Sequence, residues 1–303
     1  MSYFEHVFDR AHAPSSNRHF EPIGRRMSCV LLVAASGLVC AACQPTGDDR
    51  PETLADLFSG AGVEWIDMSY SYDERTIFWP TAQPFELEVV SAGVTEGGYW
   101  YAANNFCLAE HGGTHFDAPI HFAEGQHTAE QVPIDRLVGP AVVVDVSAAA
   151  ADDPDYQVGV GDLEAWETQH GRIPDGAILL LNTGWGSRWP DPERYLGTAR
   201  TGPEAIPELH FPGLHRDAAQ WLIDNRRIDA LGIDTPSIDY GQSTLFETHR
   251  ILYAENVPAF ENVAALDRLP ATGAYVIALP MKITGGSGGP LRIVGILPRP
   301  AGD

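Results

Sequence analysis

At 303 residues the chain is long enough for one large domain or two smaller ones, each with a substantial core. It is 44% hydrophobic and 20% charged, a globular composition without low-complexity tracts or repeats. Acidic residues outnumber basic ones 41 to 19, for a formal net charge of −22. That balance excludes a nucleic-acid partner, because backbone binding needs a basic stripe.

In chain order, a polar stretch carrying Arg10, Arg18, Arg25 and Arg26 precedes an apolar run from Cys29 to Ala42. The run is short for a bilayer and suits the hydrophobic part of a secretory signal. Arg25-Arg26 resembles a twin-arginine signal, and Ala41-Ala42-Cys43 a lipoprotein cleavage site in which Cys43 takes the lipid anchor. Residues 1–43 are therefore read as an export leader, 44–61 as a tether and 62–303 as the folded domain. The expected location is periplasmic or membrane-anchored, or cytoplasmic if the leader is a gene-start artefact. Cys107 alone falls in the folded part, so no internal disulfide forms there; in its apolar-aromatic run it reads as a packing residue.

Val63–Met68, Phe85–Val90 and Tyr99–Leu108 read as strands, rich in β-branched and aromatic residues between Pro and Gly. Ala141–Val146 and Ala177–Asn182 are continuous apolar runs, as in strands buried on both faces. Asp162–His170 reads as a helix ending at Gly171, and His215–Arg227 as a helix with one apolar stripe. Ile228–Ile233, Tyr275–Leu279 and Leu291–Ile296 complete the strands. The expected fold is a single α/β domain: a mixed β-sheet, strand-rich in its first third, with βαβ units in the second half and flanking helices. Ligands in such folds gather at the carboxyl ends of strands, where Asp234-Thr-Pro-Ser237-Ile-Asp239 follows an apolar strand.

The densest chemistry lies in His111-Gly-Gly-Thr114-His115-Phe-Asp117-Ala-Pro119-Ile-His121. Imidazole and carboxylate are the ligands of zinc and manganese. His115 and Asp117, two apart in an extended segment, share a face. Gly112 and Gly113 oppose a helix and predict a sharp turn that returns His111 beside His115. The helical metalloprotease signature is absent, since Gly112 occupies its glutamate position. Further ligands must come from elsewhere, with His249 and Glu261 the best candidates, although Glu247 and Glu255 compete. His127, His170, His210 and His215 have weaker claims; the last two flank Phe-Pro-Gly, where a pocket mouth is one option.

The 111–122 run resembles the signature of the metal-dependent cyclase family of hydrolases, which includes bacterial kynurenine formamidases and isatin hydrolases. Phe78-Trp79-Pro80, Gly232–Asp239, Thr248-His249-Arg-Ile-Leu, Phe260-Glu261-Asn262-Val and Pro280-Met-Lys-Ile-Thr-Gly-Gly-Ser-Gly-Gly-Pro290 match family segments in family order, over roughly residues 62–300. The resemblance implies that His111, His115 and Asp117 bind a first divalent ion and His249 a second. Asp117 and Glu261 would bridge the two. His121 would be the acid/base rather than a ligand, Trp79 would lie against the substrate ring, and the chain would form a homodimer.

The expected activity is hydrolysis of a C–N bond in a small formamide, cyclic amide or imide. A bound ion lowers the pKa of its water to about 7, and a free histidine of near-neutral pKa protonates the leaving amine. Trp79 and Phe78, with Phe116 a further option, would give an apolar face to an aromatic substrate. The alternatives are a one-manganese ring- or lactone-opening enzyme of the isatin hydrolase type, and a non-catalytic metal- or solute-binding lipoprotein.

Overall fold

The computed structural model describes residues 62–298; the leader, Cys43 and the tether lie outside the described residues. The strands are β1 (Val63–Asp67), β2 (Glu86–Val94), β3 (Trp100–Cys107), β4 (His115–Asp117), β5 (Val138–Asp145), β6 (Gln157–Val158), β7 (Ile178–Asn182), β8 (Gly213–Leu214), β9 (Ala230–Ile233), β10 (Ala259–Glu261), β11 (Tyr275–Pro280) and β12 (Gly288–Pro298). The helices are α1 (Ser147–Asp152), α2 (Val160–His170), α3 (Pro192–Leu196), α4 (Arg216–Asn225) and α5 (Glu247–Ala254).

Among the described residues the main sheet runs β1-β12-β11-β5-β7-β9-β10-β4, and β4 also pairs with β12. That second pairing closes seven strands into a barrel and leaves β1 on its outside. β5, β7, β9 and β10 are parallel neighbours, linked through helices, whereas β1, β4, β11 and β12 pair antiparallel. The mixed α/β sheet follows the sequence pattern. Its closure does not, because the closing strands β4 and β10 have three residues each, too few to display a period.

The apolar runs are continuous because both faces of their strands are covered. Val142, Val144, Leu179 and Leu181 belong to one core with Leu163 and Trp166 of α2, Ala218 and Leu222 of α4 and Leu252 of α5. Their neighbours Val143, Ile178 and Leu180 point the other way, into the barrel, where they join Phe116, Phe260 and Ile293. Each fully buried Leu or Ile contributes about 1.5–3 kcal/mol. The Trp166 indole N–H donates to the Val143 carbonyl at 2.8 Å, so its burial leaves no polar atom unpaired. Helix α2 stops at Gly171, whose φ of +88° breaks the helical run. Helix α4 starts one residue later than expected, because His215 serves as its cap and accepts from the Asp217 amide at 3.1 Å.

β2 and β3 form a separate two-stranded ribbon. Leu87 pairs with Phe106 and Val94 with Trp100, and all four side chains are exposed. Cys107, at the end of this ribbon, is also exposed, which corrects its reading as a packing residue: aromatic neighbours in sequence lie here on an uncovered ribbon.

Gly213 marks where β8 touches the chain that follows β9. A Cβ there would lie 2.2 Å from the Tyr240 nitrogen and 2.4 Å from the Asp239 carbonyl carbon. Gly213→Ala is expected to destabilise the fold by about 1–3 kcal/mol through forced backbone separation. Urea or thermal unfolding reads this, and an unchanged midpoint would contradict the close contact.

Candidate metal centre

The barrel seam sets the geometry of the histidine motif. In the β4–β10 register His115 stands opposite Glu261 and Phe116 opposite Phe260. Side chains alternate along a strand. With Phe116 and Phe260 inside the barrel, His115, Asp117 and Glu261 share the outward face. Phe116, fully buried in the core, is thereby removed as a wall for substrate.

The turn before β4 is held by its neighbours. Gly113 has φ of +58° and lies against the Tyr72 ring. The Tyr72 hydroxyl contacts the carbonyls of Gly112 and Thr114 at 2.8 and 2.7 Å, and the Asn262 amide donates to the Gly113 carbonyl at 2.6 Å. Gly112 packs so closely on Phe78 that a Cβ would sit 2.0 Å from the ring. The turn brings the His111 ring to 5.4 Å from that of His115.

Two overlapping sets of ligand atoms result. His111, His115 and Asp117 form one, and Asp117, His249 and Glu261 the other, each with its atoms within 4.8 Å of one another. His115 Nε2 lies 3.1 Å from Asp117 Oδ1 and 3.3 Å from Glu261 Oε2. His249 Nε2 lies 3.5 Å from Asp117 Oδ2 and 3.2 Å from Glu261 Oε1. Each carboxylate thus turns one oxygen to each set. Of the competing glutamates, Glu247 pairs instead with Arg216 and Glu255 is exposed.

This donor set fits a divalent cation. Among the described residues, buried His115 Nε2 makes no well-aligned hydrogen bond and faces only the two carboxylates of the cluster, an arrangement a cation between them would satisfy. Burial opposes the charge on His115, yet Asp117 and Glu261 raise its pKa to about 10. His249 is likewise held well above its ordinary value, against burial, by Asp117, Asp239 and Glu261. Burial also disfavours the Asp117 carboxylate, but the surrounding imidazoles hold its pKa well below the usual range. The cluster attracts positive charge.

Supporting groups fix the candidate ligand atoms. His115 Nδ1 faces the Gly113 carbonyl at 3.0 Å, and His249 Nδ1 faces Asp239 Oδ2 at 2.6 Å. Asp239 also accepts from the backbone amides of Thr248 and His249, each at 3.2 Å, so one carboxylate caps α5 and orients its histidine. Tyr253 donates to Asp117 Oδ2 at 2.8 Å. Its place four residues after His249 puts both on one helical face, a signal open to sequence reasoning but missed by it.

His121 lies outside both sets, with its ring stacked on His111 at 3.8 Å. Burial pushes its pKa down to about 4. The near-neutral value expected from sequence is therefore corrected, and the resting imidazole is neutral. Beside it opens a cavity of about 270 Å³ lined by Phe78, Trp79, Phe122 and Phe246 as well as by the cluster. Trp79 meets Phe246 edge-on at 6.3 Å. Phe246 is held at φ of +47°, a conformation that is an outlier for a bulky residue. It and Phe122 were not singled out by sequence. His210 does not reach the cavity and pairs with Asp155 at 2.9 Å. His127 and His170 also lie away from it.

Residues 66–240 match the family model Cyclase, described as "Putative cyclase". The chain is 35% identical over 222 residues to isatin hydrolase of Roseibium aggregatum, covering 71% of this chain and 81% of that one. It is 30% identical over 232 residues to kynurenine formamidase of Bacillus cereus, covering 76% and 96%. Among solved structures, isatin hydrolase A from Ralstonia solanacearum superposes with a TM-score of 0.69 at 33% identity, covering 78% and 92%. An isatin hydrolase bound to the product analogue thioisatinate gives 0.71 at 32%, covering 81% and 96%. With this cluster at its barrel seam, the chain belongs to the cyclase family of metal-dependent hydrolases.

Proposed function

We propose that this enzyme hydrolyses the C–N bond of a small aromatic formamide, cyclic amide or imide. The observation that carries the reading is the adjacency of the imidazole–carboxylate cluster, the neutral His121 and the aromatic cavity. Similarity to isatin hydrolases and kynurenine formamidases supports an aromatic substrate.

His111, His115 and Asp117 would hold a first divalent ion, and Asp117, His249 and Glu261 a second, zinc and manganese both being compatible with these donors. Bound there, the metal supplies Lewis acidity and a water acidified to near neutral pKa. Trp79, Phe122 and Phe246 pack against the ring and exclude bulk water from the scissile bond. His121, neutral at rest, would accept the proton the attacking water gives up as its oxygen bonds to the carbonyl carbon, and return it to the leaving nitrogen as the C–N bond breaks. The nearby Asp117 carboxylate stabilises the transient imidazolium. Two ions are favoured over the one-manganese alternative because Glu261 turns an oxygen to each set.

A homodimer goes with this reading. An isolated two-stranded ribbon is marginal in water, yet β2–β3 leaves Leu87, Val89, Val94, Trp100 and Phe106 exposed. A second copy laid on this face would cover them. Export with a lipid at Cys43 rests on the leader sequence alone.

Metal analysis and turnover are to be measured together on wild type and His121→Ala, with formylated anilines, isatin and cyclic imides as substrates. The expected result is two ions per chain in both proteins and a loss of roughly 100- to 10,000-fold in turnover for the variant. Unchanged turnover would remove His121 from the chemistry, and one ion per chain would favour the mononuclear alternative. Light scattering should find a dimer that Trp100→Glu weakens; a monomeric wild type would overturn the assembly. Mass spectrometry of the protein from membranes should find a lipidated N-terminus at Cys43, and a retained leader would overturn export.

A further inference from the structure

The segment Thr284-Gly-Gly-Ser-Gly-Gly-Pro290, a loop that runs into the start of β12, has no role in the catalytic scheme above, yet it lies against the cluster. Ser287 Oγ is 2.9 Å from His111 Nε2 and 2.6 Å from Glu110 Oε2. The Ser287 amide donates to the same Glu110 oxygen at 3.0 Å. On the other side of the ring, His111 Nδ1 faces Asp117 Oδ1 at 2.7 Å. The flanking glycines make this approach sterically feasible. A Cβ on Gly288 would sit 2.6 Å from His111 Cε1 and 2.5 Å from the Phe116 carbonyl oxygen, and one on Gly286 would sit 2.9 Å from Glu110 Oε1.

Counting protons orders these contacts. A serine hydroxyl has one hydrogen, and a carboxylate only accepts. Ser287 must therefore donate to Glu110, which leaves its oxygen to accept from His111 Nε2–H. His111 Nδ1 faces the cluster, where a bound cation would take the place of the hydrogen shared with Asp117 Oδ1. The other two imidazoles are fixed at Nδ1, by the Gly113 carbonyl and by Asp239. His111 alone is fixed at Nε2, and through an intermediary.

We propose that Glu110 and Ser287 are positioning residues: a carboxylate–hydroxyl relay that holds His111 as its Nε2–H tautomer and so sets the affinity of the first ion position. The proposal rests on the reading of the cluster as a metal centre. Partners of this kind orient a ligand and raise its basicity, and losing them costs roughly 10- to 100-fold in metal affinity.

The test uses the full chain, with Mn²⁺ as probe in competition with a chelating dye, on wild type, Ser287→Ala and Glu110→Gln. The expected result is roughly 10- to 100-fold weaker binding at one ion position in both variants, with the second position and the metal-free melting temperature unchanged. Nitrogen-15 NMR of the metal-free protein should find a hydrogen on His111 Nε2 in wild type, and Ser287→Ala should leave that nitrogen partly unprotonated. Should one variant fail to fold, the other carries the comparison. Unchanged Mn²⁺ affinity in the variants, or a wild-type His111 whose Nε2 carries no proton, would overturn the relay. A wild type that binds no Mn²⁺ would instead sink the metal reading, and the NMR result would still decide the relay by itself.

Discussion

The core of the candidate metal centre depends on the register of a three-residue strand. β4 is hydrogen-bonded on both sides, to β10 and to β12, and strand geometry lets only alternate residues face one way. Phe116 is anchored in the barrel core opposite Phe260. A slip of one residue would bury His115 and Asp117 in hydrocarbon and push the phenyl ring outward. The apolar interior thus holds the candidate ligands in place without touching them, and the core and the site are two faces of one hydrogen-bonded seam.

Electrostatics follow from that placement. Asp117 and Glu261 are almost fully buried, and buried carboxylates need compensation. The protein surrounds them with imidazoles and gives each imidazole an outer partner. His121 is the exception: it is stacked on a ligand ring and offered to the cavity. The difference between the candidate ligands and the proposed proton carrier is one of neighbours, since all four side chains are chemically the same.

Much of this was legible in the sequence. The His111–His121 motif pointed to the first set of gathered side chains and to the sharp turn, because glycine, proline and spacing act locally. The parallel strands were visible as apolar runs with helices between them. Barrel closure was not, since β4 and β10 are too short for a pattern and their pairing joins residues far apart in the chain. Phe116 was misjudged for the same reason: its direction is fixed by long-range register. Phe246 could not be inferred, since nothing in its neighbours announces a left-handed phenylalanine. Cys107 misled because an aromatic run usually means burial, whereas here the ribbon is bare.

Barrel closure has a thermodynamic side as well. The strand that completes the ring supplies two candidate ligands from its three residues, and its partner β10 supplies a third in Glu261. Sealing the barrel and assembling the cation site are therefore one event. Any ion that binds only the closed form adds its binding free energy to the seam, about 2.7 kcal/mol when present at a hundred times its dissociation constant. With a cation bound there, its supply would help determine how firmly the barrel stays shut, quite apart from what the enzyme catalyses.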